Sequence, residues 1–373
     1  MSKTNQPVGD FLQYGGQAVI EGVMMRSPRY FAVACRRPDG QIVVRREEID
    51  KSLLGKLKWL NKPLLRGTLA LVDAMVLGTR ALAFASSVQL EAQQGKSART
   101  SAPTPPSPEQ RAREEVLASA AALAVGPPIE DIPTQMPASG NINDIAIGGT
   151  IAFSFLFGIA LFLLLPTALT DGIKHLGLLQ PHIQQSRIWL NVLDGLIRMG
   201  IFFGYIGLIS LMSQIREVFM YHGAEHKAIN TLEAGRPLTP ENALESSRIH
   251  PRCGTSFIFV VLVINLIVFA FLPRPPLYLR FPLHLAVVPL VAGLAYEVIK
   301  FAGRFRRNPL VMAVFAPGMW SQYLTTREPN TGQIEVALVA LRSVLEAEGR
   351  LAPQTGTGAP GVPNPAEPEA VTA

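Results

Sequence analysis

Apolar and polar positions along the chain follow two periods and then form four long blocks. Residues 14–49 alternate in short β-like runs, with Arg37-Pro38-Asp39-Gly40 as the turn between 30–35 and 41–45. A small β-rich element is therefore expected within residues 1–62. Over 63–88 the period turns helical: Leu65, Leu69, Val72, Val76 and Leu82 recur near helical spacing, while Arg66, Asp73 and Arg80 interrupt them. That mixture predicts an amphipathic helix lying on a membrane surface or packed beneath a bundle, not a full span. The segments 147–165, 200–212, 255–272 and 283–301 are apolar with few charges, each near the roughly 20 residues that cross a bilayer. Four transmembrane helices within 141–325 follow. Asp194 and Arg198 stand at the start of the second, four apart, where they can pair near the headgroups.

The connecting stretches read differently. Residues 89–140 are rich in Gln, Ser, Ala, Thr and Pro, which predicts a disordered linker with a short helix near 113–124. The tail over 350–373 has the same character. Residues 309–324 are moderately apolar and interrupted by Pro317-Gly318, suggesting an interfacial or re-entrant hairpin. Within 326–349 an amphipathic cytoplasmic helix carries Ile334, Leu338, Leu341 and Leu345 on one stripe.

Composition supports a membrane class: of 373 residues 48% are hydrophobic and only 17% charged. Basic residues then orient the spans. Arg216, Lys227, Arg236, Arg248 and Arg252 lie between the second and third, and Arg304, Arg306 and Arg307 follow the fourth. The positive-inside rule puts these stretches and both termini on the cytoplasmic side of the membrane. The net charge of +6 is accounted for by this membrane-side lysine and arginine, so a nucleic-acid partner is not expected. The partner implied is the lipid bilayer; a substrate or protein partner is not specified, and a homo-oligomer is open. The first twenty residues lack the charged head and apolar stretch of a cleavable signal peptide. Cys35 and Cys253, distant and both assigned to the cytoplasmic side, are not expected to pair, which leaves Cys253 available as a ligand.

Candidate chemistry concentrates in the loop 213–254. Tyr221-His222-Gly223-Ala224-Glu225-His226-Lys227 is an H-x-x-E-H pattern; at about 100° per residue a helix puts His222, Glu225 and His226 on one face. Two imidazoles there can grip one divalent ion while Glu225 serves as general base. His250 and Cys253 precede the third span, and a helix continuing past Met212 would carry His222 roughly 15 Å beyond the hydrocarbon edge on the same side. Either one of them completes an open, catalytic set; both together close a structural one. Imidazole with thiolate favours zinc. Asn230 and Glu233 are candidates for fixing an imidazole tautomer, and Arg252 for meeting an anionic substrate or lipid phosphate. Glu297, an ionisable residue near the end of the fourth span, is a candidate outer ligand, with pairing to Lys300 or Arg304 as the alternative. In the N-terminal element, Glu21 and Arg26 are weighed as site residues against an ordinary ion pair. The neighbouring Gly15-Gly16 does not fit a dinucleotide fingerprint.

Four segments together carry a resemblance: 15–26, 221–227, His250-Pro251-Arg252-Cys253-Gly254-Thr255-Ser256, and Thr325-Thr326-Arg327-Glu328-Pro329. In this order they resemble the bacterial YqhQ-like family of unknown function, over most of the chain outside 89–140 and the tail. The linker is longer than the family's usual connection. The resemblance implies an integral membrane protein regarded as a predicted metal-dependent enzyme, with no substrate attached. The fold class expected is thus a mainly α, polytopic membrane protein: four transmembrane helices, a small β-rich N-terminal element and a cytoplasmic metal-site loop. A metal-dependent hydrolase-like enzyme is the leading reading, and a scaffold or assembly factor with a structural zinc is the alternative.

Overall fold

The computed structural model describes residues 14–49, 65–100, 149, 153–305 and 308–351. The stretch 101–140, its expected short helix near 113–124 and the tail beyond 351 lie outside the described residues. Four strands, β1 (Gly15–Val19), β2 (Gly22–Arg26), β3 (Tyr30–Arg36) and β4 (Ile42–Glu48), form an antiparallel sheet in sequence order. β3 and β4 pair from Tyr30 opposite Glu48 to Arg36 opposite Ile42, so the expected turn lies where the Pro-Asp-Gly chemistry put it. Glu21 turns β1 into β2 at a φ of 51°, a left-handed backbone that non-glycine residues seldom adopt.

Both faces of this sheet are covered, and the period of two decides by what. Val23, Met25, Ala32 and Ala34 point into one core with Ile334, Leu338, Leu341 and Leu345 of the C-terminal helix. Their neighbours Met24, Phe31, Val33 and Cys35 point into a second core with Leu77, Ala81, Phe84, Ala85 and Val88. Alternate strand residues face opposite ways, so a strand apolar at every position needs a partner on each side.

Eleven helical segments follow among the described residues. The first, α1 (Leu65–Thr100), supplies the second core and runs further into the expected linker than its composition suggests. It buries 77, 81, 84, 85 and 88, whereas Val72, Val76 and Leu82 of the expected stripe are exposed. Its surface is apolar nearly all round, so spacing alone did not identify the stripe that meets the sheet. Next come α2 (Phe153–His175), with a π-helical stretch at Ala160–Leu164, then α3 (Pro181–Gln185) and α4 (Arg187–Ile209). The chain continues through α5 (Ser213–Glu233), α6 (Pro240–Glu245), α7 (Gly254–Phe271) and α8 (Leu277–Arg304). It closes with α9 (Pro309–Trp320), α10 (Gln322–Thr325) and α11 (Thr331–Ala347).

Five of these helices, Arg66–Glu91, Phe153–His175, Arg187–Ile209, Gly254–Phe271 and Tyr278–Ala302, are long and apolar enough to cross a membrane. The expected second span starts earlier than its apolar block. Asp194 and Arg198 lie within α4, buried, with Arg198 donating to Asp194 at 2.8 Å and to Asn265 of α7 at 3.0 Å. Mutual neutralisation is what lets a helix carry them. The same helix does not run on past Met212: Ser210 turns its hydroxyl to the Gly207 carbonyl at 2.7 Å, Met212 takes an extended ψ of 134°, and α5 starts afresh. Nor does Pro317-Gly318 interrupt α9, which is helical through both and rests Gly318 on Phe259.

Candidate metal centre

Helix α5 holds its register between three supports, and most residues of 221–227 have a definable task. Tyr221 donates to Glu21 at 3.2 Å. Gly223 has no Cβ because one would collide with the Arg327 carbonyl oxygen, and the same close approach lets Arg327 N–H donate to Phe219 at 2.8 Å. Ala224 is sealed in the first core. Lys227 donates to the Leu244 and Ser246 carbonyls, both at 2.8 Å, and pairs with Glu328 at 3.1 Å. The segment 325–329 therefore lies along the histidine helix as a strap.

His222 and His226 are oriented alike. The Nδ1–H of His222 donates to the Thr325 carbonyl at 2.9 Å, and that of His226 to the Arg248 carbonyl at 2.6 Å. A carbonyl only accepts, so each ring carries its proton on Nδ1 and keeps its Nε2 lone pair. The rings stand 4.5 Å apart between centroids, and His222 Nε2 lies 3.2 Å from Cys253 Sγ. Ligand atoms of His222, His226 and Cys253 all fall within 4.8 Å of one another, a group able to hold a metal ion. Tetrahedral zinc with ordinary bond lengths separates its N and S ligands by about 3.5 Å, so the donor set and spacing fit. Burial holds the His226 imidazole below its ordinary value, keeping it neutral as a ligand must be.

Cys253 reaches this point as the N-cap of α7, where its sulfur accepts from Thr255 N–H at 3.4 Å. Gln322 pins the approach: it is fully buried, accepts from His250 N–H at 2.9 Å and donates to the His250 carbonyl and to Ser256, both at 2.7 Å.

The other expected residues fall around this trio. His250 is adjacent but separate, its ring 5.8 Å from that of His226 and its Nε2 3.6 Å from Glu233, so three of the four expected ligands converge. Glu225 is buried and lies against β1: it accepts the Gly16 N–H, and a Cβ on Gly16 would sit 2.9 Å from its Cγ. Burial raises its carboxyl above the ordinary value, while His222 and His250 pull the other way. Asn230 does not set a tautomer; it donates to the Ser247 and Ile249 carbonyls at 2.7 and 3.1 Å and so shapes the loop that presents Arg248. Arg252 pairs with Glu233. Glu297 accepts from Arg66 of α1 at 2.6 and 2.5 Å. Glu21 and Arg26 do not pair with each other; Arg26 binds Asp73 at 2.9 Å.

Sequence reasoning missed the carbonyls of Thr325 and Arg248 and the bracing by Gln322. A backbone acceptor leaves no residue-type signal, although the segment 325–329 had stood out for its resemblance.

A mainly helical chain with five apolar helices, a doubly covered antiparallel sheet and a His-His-Cys cluster at the foot of one helix defines the class. The chain belongs to the family described as "Protein of unknown function (DUF1385)", which matches residues 62–347. It is 32% identical over 339 residues to "Uncharacterized protein YqhQ" of Bacillus subtilis (strain 168), covering 90% of this chain and 93% of that relative. No solved structure matches the chain.

Proposed function

We propose that this is an integral protein of the bacterial inner membrane with a zinc-dependent, hydrolase-like centre at its cytoplasmic face. The contacts of the sheet support four spans. The sheet shares one core with α5 and α11, so an even number of crossings must separate these elements. Spans α2 and α4 lie between the sheet and α5, and α7 and α8 between α5 and α11. A crossing by α1 would make the first count odd, and half of α1 is already engaged in covering the sheet. This favours α1 as a helix packed beneath the bundle.

The observation that carries the metal reading is the matched pair of imidazoles, each fixed by Nδ1–H to a carbonyl with Nε2 turned to the Cys253 side. Three protein donors leave one position of a tetrahedron for a reactant, the arrangement of catalytic zinc. A bound ion would supply Lewis acidity there. The chain supplies the rest: carbonyls that orient the rings, and in Glu225 a buried carboxyl beside His222 that holds or moves a proton. The second reading, a structural zinc, is favoured by the way the trio ties α5 to the start of α7.

Metal content and probe turnover of the purified full chain separate these. Wild type and Glu225→Gln should each carry about one zinc, and His222→Ala and Cys253→Ala should lose it; equal metal in all four overturns the centre. Chromogenic ester, phosphoester and peptide probes then decide the role. Hydrolysis by the wild type that Glu225→Gln abolishes supports catalysis, while no turnover together with a chelator-induced fall in melting temperature supports the staple.

A further inference from the structure

A second polar cluster lies at the other end of α7 from Cys253, about 24 Å along the helix at 1.5 Å per residue. Asn191, Asp194, Phe269, Pro273, Arg274, Arg280 and His284 line a partly open cleft there, with room for one water-sized group, about 10 Å³. Its framework is held both from outside the cleft and from its wall. Asp171 of α2 accepts from Arg274 at 2.7 Å and from Arg280 at 3.2 Å, yet does not line the cavity. Asn191 binds Arg274 at 3.1 Å and the Phe269 and Leu272 carbonyls at 2.8 and 3.0 Å.

Charge and hydrogen bonding are both left incomplete. Among the described residues Arg198, Arg274 and Arg280 face two carboxylates, Asp171 and Asp194, so one positive charge is in excess where low dielectric makes it costly. Among the described residues Arg198 Nε is buried without a partner. The His284 ring is 8% exposed, packs edge-on to Phe269 at 4.4 Å, and among the described residues nothing hydrogen-bonds either nitrogen. His284 lines the cleft and presents an imidazole beside guanidiniums, where an incoming acceptor can meet it.

We propose that this cleft binds a phosphate group, whose oxygen enters between Arg274, Arg280 and His284 at the end of the bundle opposite the metal centre. The cleft is too small for a whole solute, and admits one oxygen of a group that stays largely outside. A phosphodiester headgroup of the adjoining leaflet matches this in size, in its single negative charge and in its depth. The headgroup source rests on the bilayer reading above, which alkaline carbonate extraction of cell membranes tests by itself.

Native mass spectrometry of the detergent-solubilised full chain, titrated with phosphatidylglycerol, phosphatidylcholine or inorganic phosphate, tests the site. The expected result is one phosphatidylglycerol retained in preference to phosphatidylcholine, with retention about tenfold weaker in Arg280→Gln and in His284→Leu, the loss of one charge-assisted bond. His284→Leu removes no hydrogen bond of the fold, so it reports even if Arg280→Gln is unstable. Inorganic phosphate binding that both variants weaken keeps the site and assigns it a soluble source. Equal retention of the two lipids without phosphate binding, or retention unchanged in His284→Leu, overturns the proposal.

Discussion

In the layer made by the sheet, α5 and α11, residues such as Val23, Met25, Ala32, Ile334 and Leu341 are sealed inside while Arg46, Glu48 and Glu335 face outward. In the bundle of α2, α4, α7 and α8 the distribution inverts. Phe153, Phe155, Leu156 and Leu208 are exposed, and Thr167, Thr170, Asp194 and Arg198 are buried. Water selects an arrangement of the first kind, and the second kind is compatible with a hydrocarbon surround. The candidate metal centre lies where the two meet, its histidines on a helix of the layer and its cysteine at the first residue before a helix of the bundle. A divalent ion there would couple two parts whose own cohesion has different physical origins.

Breaking each part at its characteristic interaction should give the largest effects. Arg198→Ala leaves Asp194 buried without its partner and should cost about 3–5 kcal/mol in thermal or denaturant unfolding in detergent. Replacing both residues with apolar ones of similar volume should restore most of that loss. If the double replacement is as damaged as the single one, the pair is not what holds α4 to α7. In the layer, Leu341→Ala empties a core site and should cost about 2–5 kcal/mol, whereas Phe155→Ala on the outward face of α2 should stay within about 0.5 kcal/mol. Similar losses for both would mean that α2 is packed against protein.

A thiol gives a way to watch the layer alone. Cys35 is fully buried beneath α1, and burial, with Glu21 adding to it, pushes its thiol up to about 12. Iodoacetamide at pH 8 should leave Cys35 unmodified in the folded protein and label it only as the sheet opens. Labelling at denaturant concentrations where the bundle keeps its helical signal would show the layer to be the weaker part; modification without denaturant would contradict the packing of α1 on the sheet.

How much of this was legible in the sequence depends on the kind of signal. Alternation over 14–49 and the stripe Ile334, Leu338, Leu341, Leu345 translated directly into strands and a buried helix face, because a side chain's direction follows from its position number. The spacing of His222 and His226 likewise brought two donors together, and Cys253 arrived beside them. Direction was lost where partners come from far along the chain. Nothing near Glu225 says that Gly16 will cover it, and nothing near Glu297 points to Arg66. The break between α4 and α5 falls at Ser210 to Met212, where no proline or charge marks it and an apolar period does not register it. In α1 the apolar surface was recognised and the wrong stripe chosen, since several stripes qualified.

The mildest test addresses the seam between sheet and histidine helix. Burial, reinforced by the nearby Glu217 carboxylate, raises the Glu21 carboxyl above its ordinary value, while the Tyr221 hydroxyl bonded to it acts in the opposite sense. A carboxyl whose folded value is raised is protonated more readily in the fold than in the unfolded chain, so its ionisation costs stability as pH rises through the ordinary range to the raised value. Glu21→Gln cannot ionise, keeps an acceptor for Tyr221, and leaves the left-handed turn at this position unchanged. It should therefore be more stable than the wild type at neutral pH, by less than about 1 kcal/mol because half the group faces water. Below the ordinary carboxylate range both forms are neutral and the difference should vanish. A gain that persists at acid pH would place the strain in the turn itself, and a loss at neutral pH would show that the carboxylate is what draws Tyr221, and with it α5, onto the sheet.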